Sequence, residues 1–192
     1  MNRIVSMLMI VVLMYACGGS DDENPGGGGP PTNVPYDRGD LLINAADNII
    51  IPAFKDLSGK LTALTGAKDA FIADPSQPNL TALRAAWLEA YKTWQFVEMF
   101  NIGKAEEINY SFQMNIYPTS VTDVENNVAS GSYDLTRPNN NDAVGFPALD
   151  YLLFGIANDD ASILDKYISD PKADGYKNYL SDLVDQMESL TK

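Results

Sequence analysis

Histidine is absent from all 192 residues. That removes Ser-His-Asp and Cys-His catalysis and every zinc signature that uses imidazole. Any metal held by this chain would take oxygen donors, which favours hard ions such as iron or calcium. Cysteine occurs once, as Cys17, so an intramolecular disulfide is impossible. Basic residues are scarce, 13 against 26 acidic ones, for a formal charge of −13. A chain so poor in Lys and Arg has little with which to neutralise phosphates, so nucleic acid is excluded as a partner. An acidic surface concentrates cations near it, although simple solubility accounts for the same composition. No segment sustains a period-two alternation of apolar and polar residues, which argues against a β fold.

The N-terminus carries one positive charge at Arg3, then an apolar stretch from Ile4 to Met14 broken only by Ser6. This is about half of the roughly 20 residues that a spanning helix requires, and it reads as the core of a signal peptide. Met14-Tyr15-Ala16-Cys17 places a small residue directly before the cysteine and resembles a bacterial lipobox. Residues 1–16 are therefore expected to be a lipoprotein signal peptide, and Cys17 the lipidated N-terminus. Losing residues 1–16 removes Arg3 and no acid, so the charge becomes −14. Direct adhesion to anionic lipid is then disfavoured, and the lipid anchor would supply the membrane contact. Residues 17–35 hold the acidic cluster Asp21-Asp22-Glu23 and the run Gly26 to Pro31. Such composition buries no apolar area and makes a flexible tether. The acidic cluster resembles a surface-export signal; a solvated linker is the alternative.

From residue 36 onward the apolar pattern is helical. Leu42, Ala46, Ile49, Ala53, Leu57, Leu61 and Leu64 recur at three- and four-residue steps, which predicts one long amphipathic helix. Pro52 should kink or restart it, because proline removes a backbone donor. Asp74 to Asn79 breaks the chain, with Asn79 a candidate N-cap. Leu80, Leu83, Trp87, Ala90, Trp94 and Val97 predict a second helix that Gly103 ends. Residues 104–117 are ambiguous. Thr119 or Ser120 should cap a helix with Val121, Val124 and Val128 inward, and residues 130–142 read as a polar loop. Pro147 suits the first turn of a helix carrying Leu149, Leu152, Leu153 and Ile156. A last helix is expected from about Pro171 through Tyr176, Leu180, Leu183, Met187 and Leu190. The fold class is an all-α up-and-down helical bundle over residues 36–192. Its last pattern breaks off at Lys192 without a stop signal, so the bundle is expected to be truncated there.

One stretch sets a lone carboxylate in an apolar run: Gly145-Phe146-Pro147-Ala148-Leu149-Asp150-Tyr151-Leu152-Leu153-Phe154-Gly155. Burying an acid among such neighbours is costly unless something pairs with it. Asp150 is therefore either a helix-start acid or a site residue. The stretch resembles the Gly-x-His-x-x-Glu signature of the imelysin-like family, the insulin-cleaving, iron-regulated bacterial surface proteins. Gly145 matches, Pro147 stands for the His and Asp150 for the Glu. Asn44 to Phe54 resembles the family's opening helix with its internal proline. Ala86-Trp87 followed by Glu98, Phe100 and Gly103 is similar to its second helix, and Asn115-Ile116-Tyr117-Pro118 to its Asn-x-Trp-Pro segment.

The resemblance implies an exported protein of two bundle-like halves linked to iron acquisition, of which this chain covers the N-terminal half. It also implies Glu98 and Asp150 as candidate metal ligands, Glu98 on the same helical face as Trp87 and Tyr91. The motif histidine would have added a neutral nitrogen that Pro147 cannot supply. The expected function is a non-catalytic lipoprotein of the bacterial outer membrane, facing the cell surface or the periplasm. It would serve iron or haem uptake by binding a hard metal ion or an outer-membrane uptake protein. The alternatives are an imelysin-type metallopeptidase and a helical interaction module at the outer membrane. Zinc peptidase chemistry is disfavoured by the missing histidine. Tyr91, Tyr110, Tyr117 and Tyr151 could bind ferric iron as phenolates, or serve as aromatics at the core's edge.

Overall fold

Leu57, Leu61, Leu64, Lys68 and Phe71 fall at steps of four and three, and all five are buried. They form the inner stripe of the longest helix in the computed structural model, which describes residues 37–192. The expected signal peptide, the expected tether up to residue 35 and Cys17 lie outside the described residues. Residues Arg38–Lys192 make one compact unit, all helical, with no strand among the described residues. No described helix is long and apolar enough to cross a membrane.

The helices run in order α1 (Arg38–Ala45), α2 (Ile51–Ala73), α3 (Gln77–Trp94), α4 (Lys104–Glu107), α5 (Tyr110–Met114), α6 (Val121–Ser130), α7 (Gly145–Asp150), α8 (Asp160–Ile168) and α9 (Ala173–Thr191). Helices α2 and α3 form a hairpin joined by three residues, and α9 packs along α2 and also touches α6, α7 and α8. The core between them is Leu80, Leu83, Ala90 and Trp94 of α3 against Leu57, Leu61, Leu64 and Phe71 of α2 and Tyr179, Leu180, Leu183 and Met187 of α9. Each such side chain contributes roughly 1.5–3 kcal/mol on full burial, so this three-helix seam holds the bundle.

Lys68 lies in that seam and is only 3% exposed. Its ammonium is bonded by Asp69 (2.7 Å), Asp185 (2.8 Å) and Ser181 (3.3 Å). Burial works to lower its pKa, but the two carboxylates outweigh burial and the net shift is upward. Lys68 therefore stays charged and ties α2 to α9.

Some local expectations hold, such as the restart at Pro52 and the Ser120 cap, and others need correction. Leu42 and Ile49 are 68% and 53% exposed, and α1 buries none of its residues. Periodicity shows that a helix has an apolar face; it does not supply the element that covers it. Pro52 is accommodated by a π-helical turn, Ala46–Ile50, and sits at the start of α2, where a missing N–H is tolerated. Helix α3 starts at Gln77 behind Ser76, not at Asn79. Asn79 instead turns its amide back to the Asp74 and Ala70 carbonyls, closing the end of α2. Ser120 does cap α6, accepting from the Asp123 N–H, but Val121 is 45% exposed. The loop 130–142 contains a 3-10 turn, Pro138–Ala143, that buries Asn140. Helix α8 was not foreseen: Asp159 caps it by accepting from the Ser162 N–H.

Candidate aromatic ligand site

Gly145 begins the site. Its φ is +73°, and a Cβ there would overlap the Met114 carbonyl oxygen and lie 2.9 Å from that of Gln113. The start of α7 thus rests directly on the end of α5, an approach only glycine permits. Pro147 follows in the first turn of α7, as its fixed φ suits. It has no N–H to offer the Ala143 carbonyl, and the Tyr179 hydroxyl donates to that carbonyl instead (2.6 Å).

Immediately after Asp150 the helix widens into a second π turn, Tyr151–Gly155. Wide turns of this kind leave carbonyls to be satisfied from elsewhere, and they occur often at functional sites. Here other helices supply the donors. Arg84 of α3 donates twice to the Leu153 carbonyl (2.9 and 2.7 Å), and the Tyr167 hydroxyl donates to the Leu152 carbonyl (2.9 Å). Arg84 also pairs with Asp160 at 2.8 Å and lies 4.6 Å from the centre of the Phe154 ring. Further donors hold the approach to α7. Ser120 N–H and the Thr119 hydroxyl bond the Asp142 carbonyl, and the Trp87 indole N–H bonds that of Phe146 (3.2 Å). The whole segment 142–153 is therefore pinned by side chains remote in sequence.

Against it lies an open cavity of about 350 Å³, lined by Trp87, Tyr91, Asn115, Tyr117, Thr119, Phe146, Pro147, Asp150, Tyr151 and Gly155. Its size lies at the lower end of small-ligand sites, roughly 300–1,000 Å³. Trp87 and Tyr91 stack with ring centres 5.4 Å apart, and Tyr91 meets Phe146 at 5.2 Å. Gly155 leaves room for the Tyr151 ring, whose Cδ2 would stand 2.9 Å from a Cβ at that position.

Asp150 is the sixth residue of α7, so it is not the helix-start acid that one reading of the sequence allowed. Its carboxylate lies at the exposed rim of the cavity and has no hydrogen bond or ion pair among the described residues. Partial desolvation by its apolar surroundings raises its pKa. Tyr151 donates to Glu125 (2.9 Å), as does Tyr176 (2.9 Å), and Lys172 reaches Glu125 at 3.3 Å. Burial first, and then the Glu125 bond, push the Tyr151 phenol up to about 12. At neutral pH it is a neutral phenol whose proton is held by Glu125.

Of the expected site residues, Gly145, Pro147 and Asp150 come together with Trp87. Glu98 does not join them: α3 ends at Trp94, and Glu98 is exposed in the turns that follow, off the helical face shared by Trp87 and Tyr91. Hard cations take about six to eight oxygen ligands, usually several carboxylates. Asp150 is the only carboxylate lining the cavity, and among the described residues no three His, Cys, Asp or Glu side chains gather where an ion could sit. The supporting residues Arg84, Glu125, Tyr167 and Tyr179 were not read from the sequence. Each serves the site from another helix, and no local spacing marks it.

Comparison with known proteins bears on the fold and the family. Iron-regulated protein A of Synechococcus elongatus is 25% identical over 108 residues, which is 56% of this chain and 29% of that protein. The crystal structure of a protein described as an iron-regulated protein A precursor, from Parabacteroides distasonis, superposes with a TM-score of 0.64 at 24% identity. That match covers 79% of this chain and 42% of the other, and it bears on the fold. The chain thus spans less than half the length of either relative. The imelysin profile (peptidase M75) matches residues 50–192, well over half of the chain, and the segments that line the cavity all lie inside that match. The chain belongs to the imelysin family.

Proposed function

We propose that this chain is the binding part of an exported, lipid-anchored outer-membrane protein that serves iron or haem acquisition without catalysis. The cavity between Trp87 and Asp150 is its ligand site. One observation carries the reading: the three motif segments, around Trp87, Asn115 to Tyr117 and Gly145 to Gly155, converge on one cavity holding a carboxylate that has no partner among the described residues. A buried or rim carboxylate left open in this way is a binding group in waiting. The iron-regulated names of both relatives point to the physiological setting. The lack of histidine, with one carboxylate at the cavity, supports binding over hydrolysis.

The test is growth under iron limitation. A strain lacking the gene is complemented with wild type, with Asp150→Asn or with Trp87→Phe, and protein levels are matched by immunoblot. Wild type should restore growth in low iron, and both variants should restore it less well. Full complementation by both variants would overturn the reading. Thermal shifts with ferric, ferrous, calcium and manganese ions test direct metal capture. A shift abolished by Asp150→Asn would make an ion the ligand.

A further inference from the structure

The cavity's donors and acceptors are unevenly spent, and this defines what it can hold. The Trp87 indole N–H is committed to the Phe146 carbonyl, the Thr119 hydroxyl to the Asp142 carbonyl and the Tyr151 hydroxyl to Glu125. Three of the obvious donors on the wall therefore bond the protein itself. No lysine or arginine lines the cavity. What remains facing a ligand is aromatic surface, the neutral polar tips of Tyr91, Asn115 and Tyr117, and one charged group, the Asp150 carboxylate, on a chain of formal charge −13. A phosphate or carboxylate ligand would meet a like charge and find no cationic partner. A neutral apolar ligand would leave Asp150 unpaired as it lost water.

We propose that the site binds an organic cation, an alkylammonium or guanidinium group, between the ring wall of Trp87, Tyr91 and Phe146 and the carboxylate of Asp150. Aromatic faces attract such cations, most strongly when water is excluded, and indole is the best of them. The carboxylate completes the pairing and sets the depth of entry. The same chemistry already operates one helix face away, where the Arg84 guanidinium lies 4.6 Å from the Phe154 ring centre beside Asp160. That pair shows that this wall of the bundle holds a guanidinium against a ring with an acid alongside. An organic cation also needs no cluster of ligating side chains, in keeping with the single carboxylate at the cavity. The inference rests on the cavity being the ligand site and adds the class of group that enters it.

The test uses the whole chain and follows Trp fluorescence and calorimetric heat. The probes are choline, its uncharged isostere 3,3-dimethylbutan-1-ol, and N-acetyl-arginine amide. Choline or the arginine amide should bind saturably, and the isostere about tenfold more weakly or worse. Asp150→Asn should weaken cation binding about tenfold while leaving the unfolding midpoint in place. Tighter choline binding would mark a free quaternary ammonium as the ligand; tighter arginine amide would mark a basic side chain of a partner. Equal binding of choline and its isostere, or unchanged cation binding in Asp150→Asn, overturns the inference. If no cation binds while the Asp150→Asn strain still fails in low iron, the inference falls and the cavity keeps its role. If cations bind as described but that strain grows normally, the cation site stands and the iron reading falls.

Discussion

Gly145 is a motif residue whose role the structure makes structural, and Gly145→Ala measures it. Its φ of +73° lies in the left-handed region, where a non-glycine residue costs roughly 1–2 kcal/mol. The added Cβ would also overlap the Met114 carbonyl and lie 2.9 Å from the Gln113 oxygen, all of it backbone. Backbone cannot rotate away as a side-chain tip can, so α7 must lift off α5, and overpacking of this kind costs roughly 1–3 kcal/mol. The two effects together predict a loss of about 3 kcal/mol, against a total of roughly 5–15 kcal/mol for a domain. For a domain of this size that is a midpoint lower by about 6–12 °C. Urea unfolding followed by far-UV circular dichroism gives the free energy, and Trp emission reports the cavity in the folded state. Gly59→Ala and Gly66→Ala are the controls. Both lie exposed within α2 with nothing within 4 Å of a new Cβ, so each should stabilise by roughly 0.5–1 kcal/mol. A Gly145→Ala protein within about 0.5 kcal/mol of wild type, with unchanged Trp emission, would refute the close-approach argument.

Other perturbations test other parts of the framework. Arg84→Met leaves the Leu153 carbonyl without its two donors and removes the ion pair with Asp160. It should cost about 2–3 kcal/mol by urea unfolding, and a change below about 0.5 kcal/mol would remove Arg84 from the support of the π turn. Asp150→Asn should leave the thermal midpoint unchanged or slightly raised. The folded-state pKa of Asp150 is raised by desolvation, so its ionised form is disfavoured by folding at neutral pH; a drop of more than about 1 kcal/mol would mean that the carboxylate has a structural partner. Glu188 accepts from Lys192, Thr62 and Thr65, and these bonds lower its pKa from 4.5 to about 2. A depressed carboxylate stabilises above its unfolded value and loses that contribution as pH falls. Wild type should therefore lose stability between about pH 4.5 and pH 2 more steeply than Glu188→Gln. Parallel pH profiles for the two proteins would contradict the assignment.

The fold class and most of the core were legible in the amino-acid order. Leu57, Leu61 and Leu64, then Leu80, Leu83 and Trp94, then Leu180, Leu183 and Met187 announce their helices, because helical period and burial coincide on any face that has a partner. The same rule misled for Leu42 and Ile49, since a periodic face says nothing about what covers it. Gly145 and Asp150 stood out by type and neighbourhood, and Ser120 by its capping position. Asn79 misled because asparagine at a helix junction serves either a start or an end, and only the carbonyls of Ala70 and Asp74 decided which.

The chain's order alone thus determined that it is a helical bundle without imidazole chemistry, with one carboxylate in a marked apolar run. Those are properties of residue type and local spacing. Tertiary structure decided that Asp150 faces Trp87, 63 positions earlier, and that Glu98 stays away from both. It also decided that Arg84, Tyr167 and Tyr179 hold the segment open by bonding its carbonyls. Such partners are chosen by helix packing, where residues distant along the chain become neighbours, and local spacing carries no record of that choice.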